Sequence, residues 1–206
     1  RMRWFDGVYA DIKAENIATA SRALPTSLAD AISTVSLRNV SLAIPTPLIP
    51  SSSPQLVCAN ITLKAREMVA IVGRSGSSKS SLLRVLAGIY PVTSGQYLLN
   101  GYDIQQFSEV EIRERIVFLD ADSCRLPPDI LRTLGAMPAR GSSHWIISEI
   151  DRLLSSEGLM VALDQPELWL ERSDPQRPYL ETLRALANRH MVVVATRNEA
   201  IVSLAD

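Results

Sequence analysis

The pattern of apolar and polar positions changes character near residue 68. Before that point, residues 34–44 and 55–63 alternate roughly between apolar and polar, as half-buried strands do. Between them, residues 45–54 hold four prolines and three serines without periodicity, which predicts an exposed loop. From Met68 onward the apolar runs are short and continuous, at 68–72, 116–119, 159–163 and 191–195. They alternate with segments of helical spacing at 80–87, 108–114, 130–134, 145–154 and 179–188, and a further extended segment falls at 96–100. Wholly apolar strands between helices predict an α/β fold with a mostly parallel sheet covered by helices on both faces. The earlier alternating strands add a small antiparallel β-layer. Residues 1–24 carry Phe5, Val8, Tyr9, Ile12 and Ile17 at loosely helical spacing and are expected to be helical up to Pro25. The expected division is an N-terminal helical stalk or linker at 1–33 and one domain at 34–206.

Composition narrows the function classes. In 206 residues, 21 basic and 22 acidic side chains nearly cancel, so no electrostatic case exists for nucleic acid or an anionic membrane surface. Cys58 and Cys124 have neither the number nor the spacing of a disulfide framework or a zinc site. No apolar run approaches the ~20 residues that span a bilayer. The basic start, Arg1-Met2-Arg3, lacks the apolar core of a signal peptide, and a chain beginning with Arg fits a piece of something longer. His144 and His190 are isolated in sequence and are expected at the surface or as caps.

The chemistry-bearing stretch is Gly73-Arg74-Ser75-Gly76-Ser77-Ser78-Lys79-Ser80-Ser81, set between the strand ending at Val72 and the helix starting near Ser80. A strand, a small-residue loop and a helix aim backbone N–H groups and the helix dipole at negative charge. Lys79 would reach the outer phosphates of a nucleotide, and the Ser80 hydroxyl would join the shell of Mg²⁺. Ser78 stands where the pattern has a second glycine. Its Cβ either crowds the phosphates or sits on a backbone conformation that costs a non-glycine residue about 1–2 kcal/mol. A plain Ser/Gly turn joining strand to helix is the bland alternative.

From these residues onward the sequence resembles the ATP-binding domain of ABC transporters, particularly exporter-type half-transporters. The resemblance takes in Leu37-Arg38-Asn39-Val40-Ser41-Leu42, the Gly73–Ser81 loop, Leu82 to Pro91, Ser94-Gly95, Leu99 to Ile104 and Leu163-Asp164-Gln165-Pro166, in the expected order. It implies ATP and Mg²⁺ as ligands, a second nucleotide-binding domain as a homo- or heterodimeric partner, a transmembrane transporter domain, and a place on the cytoplasmic face of a membrane. It also implies that Asp164 holds Mg²⁺ together with Ser80, and that the segment before Pro25 enters from the membrane domain.

Several positions depart from the family pattern. Gln165 occupies the place of the glutamate that acts on the attacking water; an amide orients water but cannot take its proton, and a positioned base is typically worth about 10²–10⁴-fold. Ile44 takes the place of the aromatic residue that stacks on adenine; it can still cover the base by apolar contact without the aromatic face, or be an ordinary apolar residue at a strand end. Ala121 falls at the expected glutamine, and Arg197 at the expected histidine that contacts the terminal phosphate. Residues 140–144 stand where the Leu-Ser-Gly-Gly-Gln signature belongs, and the segment between Asp120 and Arg140 is shorter than the family's helical subdomain. The resemblance therefore implies a domain that binds Mg-ATP with impaired hydrolysis. The alternative is a pseudo-ATPase that keeps the fold as a structural or regulatory partner and binds no nucleotide.

Overall fold

The computed structural model describes residues 3–4, 31–42, 56–120, 144–170 and 178–205. Its elements run β1 (Arg3–Trp4), β2 (Thr34–Leu42), β3 (Leu56–Lys64), β4 (Met68–Val72), α1 (Lys79–Leu86), β5 (Ser94–Leu99), β6 (Tyr102–Asp103), α2 (Glu109–Arg115), β7 (Ile116–Leu119), α3 (His144–Ser155), β8 (Met160–Asp164), α4 (Tyr179–Ala187), β9 (Met191–Ala195) and α5 (Glu199–Val202). Five parallel strands form one sheet in the order β1-β4-β9-β8-β7, and four antiparallel strands form a second in the order β3-β2-β5-β6. The α/β architecture expected from the apolar runs is therefore present, with both sheets.

Period-two alternation sorts the parallel strands between two cores. Met160 and Ala162 of β8, with Met191, Val193 and Ala195 of β9, join the core formed with α1 and the antiparallel sheet. Val161 and Leu163, with Val192 and Val194, face the opposite core, built by Ile150 and Leu153 of α3, Leu183 and Leu186 of α4, and Ile201 of α5. A strand buried on both faces has no polar positions to show, which is why β8 and β9 read as unbroken apolar runs. The antiparallel sheet is fastened to α1 where the buried Tyr97 hydroxyl of β5 donates to the Leu86 carbonyl. Gly95 permits the close approach of β5 to β2: a Cβ there would lie 2.5 Å from the Asn39 carbonyl oxygen.

Two expectations are corrected. Arg3 and Trp4 are extended, not helical, pairing in parallel with Ile71 and Val72 on the outer side of β4. An otherwise bare strand edge presents unpaired N–H and C=O groups, and two residues suffice to cap part of it. The rest of the expected N-terminal helix lies outside the described residues, as do the proline-rich loop and the expected helix at 130–134. His190 is 1% exposed, neither a surface residue nor a simple cap. Its Nδ1 accepts from the Leu159 N–H at 3.3 Å, while Nε2 lies 2.7 Å from the Leu153 carbonyl oxygen. These contacts require a neutral ring with the proton on Nε2. His190 thus joins the end of α3 to the start of β8, and sequence spacing gives no hint of it.

Candidate functional site

The carboxyl ends of β4, β9, β8 and β7 open on one edge of the parallel sheet, where open α/β sheets present ligand sites. The Gly73–Ser81 loop leaves β4 there, Thr196 and Arg197 follow β9, Asp164 and Gln165 end β8, and Asp120 follows β7. Arg74, Ser75, Gly76 and Ser77 are exposed, so the loop stands out from the edge.

Ser78 is the N-cap of α1 and lies in the left-handed region at φ 59°, ψ 23°, with no side-chain cap hydrogen bond. Of the two consequences expected from the missing glycine, the strained backbone is therefore present. Lys79 turns back over the loop: its Nζ donates to the carbonyl oxygens of Gly73 at 2.9 Å and Arg74 at 2.7 Å. Burial pushes its pKa below the usual lysine value, the positive charge of Arg197 adds to that shift, and Asp164 opposes it. Lys79, Arg197 and Asp164 consequently share one electrostatic neighbourhood.

Asp164 is buried, at 7% exposure, and the Ser80 side chain hydrogen-bonds to its carboxylate. Its Oδ1 has no hydrogen-bond partner among the described residues. Burial raises the carboxyl pKa above the ordinary aspartate value; the Ser80 hydrogen bond and the Arg84 charge pull it down, and the Asp120 charge pushes it up. A hydroxyl beside a carboxylate with one orphaned oxygen is a donor set that suits a hard divalent cation. The backbone carbonyl of Asp164 accepts from the indole Nε1 of Trp169 at 2.9 Å, which fixes the end of β8.

Gln165 is also left-handed, at φ 49°, ψ 55°, and its N–H donates to the Ala195 carbonyl oxygen at 2.8 Å. That bond extends the β8–β9 pairing by one step and leads into a 3-10 turn at Pro166–Leu168. Arg197 is exposed, one residue beyond the fully buried Thr196. Ile44, Ala121 and residues 140–143 lie outside the described residues, and of His144 only the backbone is described.

Three features escaped the sequence reading. Glu167, in the 3-10 turn, accepts at Oε1 from the Thr196 hydroxyl at 3.0 Å and from the Arg197 N–H at 3.5 Å. Arg84 of α1 pairs with Asp120 at 3.5 Å and lies over the rings of Tyr90 and Phe118 at 5.8 and 5.9 Å. Trp169 closes back on Asp164. The first two depend on which strand ends are neighbours, whereas Trp169 and Asp164 are only five residues apart.

Comparison with known proteins places the chain in a family. The sequence model of the family described as ABC transporter matches residues 57–194. Over 166 residues the chain is 30% identical to the ATP-dependent lipid A-core flippase of Syntrophus aciditrophicus (strain SB), covering 78% of this chain and 26% of that protein. It thus spans about a quarter of that relative's length. Among solved structures it is similar to a bacterial Atm1-family ABC exporter with ATP bound, at TM-score 0.60 and 21% identity, covering 85% of this chain and 36% of the other. The dimeric bacterial ABC transporter cassette MJ0796 superposes at TM-score 0.60 and 17% identity, covering 83% of this chain and 91% of the other. At these identities the structural likeness speaks for the fold.

Proposed function

Given that the chain belongs to the ABC transporter family, as its nucleotide-binding domain, we propose that it binds Mg-ATP at the Gly73–Ser81 loop and hydrolyses it slowly. The observation that carries this reading is the position of Lys79, whose ammonium is held by the Gly73 and Arg74 carbonyls beside the Ser80–Asp164 pair. Phosphate oxygens would replace those carbonyls as partners of Lys79, while loop amides and the α1 dipole add to the attraction. Mg²⁺ supplies charge neutralisation between phosphates, and Ser80 and Asp164 are the residues that would hold it. Arg197 would meet the terminal phosphate, since its charge already bears on Lys79.

Slow hydrolysis rests on Gln165. The amide follows β8 in the place where the family resemblance calls for a glutamate, and it can orient a water without accepting its proton. The Atm1-family neighbour carries ATP and the MJ0796 neighbour is dimeric. By extension, this domain would pair with a second nucleotide-binding domain, of its own or another kind, and couple to a transmembrane transporter domain at the cytoplasmic face of a membrane. No helix among the described residues is long and apolar enough to cross a membrane.

A second reading, a cassette that binds no nucleotide, is favoured by Ser78, which brings a Cβ and a strained backbone into the loop. Titration with a fluorescent ATP analogue separates the two: saturable binding that Lys79→Ala abolishes supports the first, and absence of binding supports the second. Turnover at the rate of an active ABC ATPase, lost in Lys79→Ala, would overturn the slow-hydrolysis part of the proposal.

A further inference from the structure

One carboxylate, Asp164, ends β8, and another, Asp120, directly follows the adjacent strand β7. Leu119 of β7 pairs with Leu163 of β8, and both point into the core shared with α3 and α4. The next residues, Asp120 and Asp164, therefore turn to the opposite face, where α1 lies. On α1, Ser80 and Arg84 are four residues apart and so lie one turn apart on a common face. Ser80 hydrogen-bonds to the carboxylate of Asp164, and Arg84 pairs with that of Asp120 at 3.5 Å. One helix face thus holds both acids, with Arg84 acting electrostatically on Asp164 as well. Asp120 is buried to 9% exposure and Asp164 to 7%, and the Oδ1 atom of Asp164 has no hydrogen-bond partner among the described residues. A buried anionic oxygen without a donor is costly unless a cation meets it.

We propose that Asp120 is the second carboxylate of a divalent-cation site shared with Asp164 and Ser80, and that Arg84 is the built-in counter-ion that the cation replaces. The proposal deepens the nucleotide-site reading by giving this chain an acidic metal ligand of its own at a position where the family resemblance supplies none. Two carboxylates and a hydroxyl form a hard-oxygen donor set with enough charge to take a cation before any phosphate arrives. Arg84, stacked on Tyr90 and Phe118, can release Asp120 and stay sheltered by its rings.

The test uses the whole chain, without nucleotide, and Mn²⁺ alone as the probe, with free Mn²⁺ followed by electron paramagnetic resonance. The expected result is a single saturable site that Asp120→Asn weakens about tenfold or more, as loss of one ligand charge should. Arg84→Gln removes the competing cation and should tighten the same site several-fold. Circular dichroism establishes that each variant is folded; should Asp120→Asn fail to fold, Arg84→Gln decides alone. Wild-type chain without a saturable site, Asp120→Asn matching wild type, or Arg84→Gln leaving the affinity unchanged or weaker would overturn the proposal. Because no ATP is present, failure of nucleotide binding and failure of this metal site are read separately.

Discussion

The carboxylate of Glu167 accepts a 3.0 Å hydrogen bond from the hydroxyl of Thr196, fastening the turn after β8 to the segment after β9. The same hydroxyl accepts from the Asn198 N–H at 2.9 Å, which sets the start of α5. Arg197 lies between these two bonds, so its backbone is fixed on both sides while its side chain is exposed.

Thr196→Val keeps the shape of the side chain and deletes both bonds. Glu167 already has Oε2 buried without a hydrogen-bond partner among the described residues, so the substitution leaves the carboxylate still less satisfied. The expected loss is about 1–3 kcal/mol in urea-induced unfolding. Unchanged stability would mean that this fastening contributes nothing.

Ser78→Gly is expected to stabilise the fold. The left-handed conformation costs a non-glycine residue about 1–2 kcal/mol, and the greater freedom of glycine in the unfolded chain offsets part of the gain. A net rise of about 0.5–1 kcal/mol, seen as a higher thermal midpoint, follows. A lower midpoint would show that the serine hydroxyl provides something the backbone strain conceals.

Asp164 is expected to weaken the metal-free protein at neutral pH. Its folded pKa lies above the unfolded value of 3.8, chiefly because it is buried. The stability tied to its protonated form is complete below the unfolded pKa and disappears as pH rises through the folded pKa. Asp164→Asn should therefore unfold at higher urea than wild type at neutral pH without Mg²⁺, and the advantage should shrink towards acid. A variant less stable than wild type at neutral pH would contradict this.

His190 works with the opposite pH dependence. Its folded pKa is lowered from 6.5, first by burial and further by Arg189 and Arg152, while the Leu153 carbonyl and Glu157 oppose the shift. Stability linked to the neutral ring is complete above the unfolded pKa and is lost as pH falls through the folded pKa. Urea midpoints of wild type and His190→Phe, compared at neutral pH and at about pH 5, should show a decline in wild type that is smaller in the variant. Equal declines would place the titrating group elsewhere.

These residues also show how far the sequence could be read. The parallel sheet was legible because strands buried on both faces must be apolar, as β4 and β9 are throughout and β8 is up to Leu163. The strand–loop–helix at Gly73–Ser81 was legible because a phosphate-binding loop would need small residues and Lys-Ser at fixed spacing between a strand and a helix, and the Ser78 strain followed from the missing glycine. His190 was not, because a histidine bonded to two backbone groups looks in sequence like any isolated histidine. Asp120 and Arg84 meet only because β7 and β8 are neighbours in register, a long-range fact that local periodicity does not carry. The β1 pairing is shorter still: two residues leave no alternation to detect, and the edge of β4 decides their conformation.

The most direct measurement of the central claim is equilibrium titration of the whole chain with a fluorescent ATP analogue and Mg²⁺, run beside Lys79→Ala. Removing the ammonium that lies over the loop should abolish binding without unfolding the protein, while wild type saturates. Binding of equal strength in the two proteins, or none in wild type, would contradict the assignment of the Gly73–Ser81 loop as a nucleotide site.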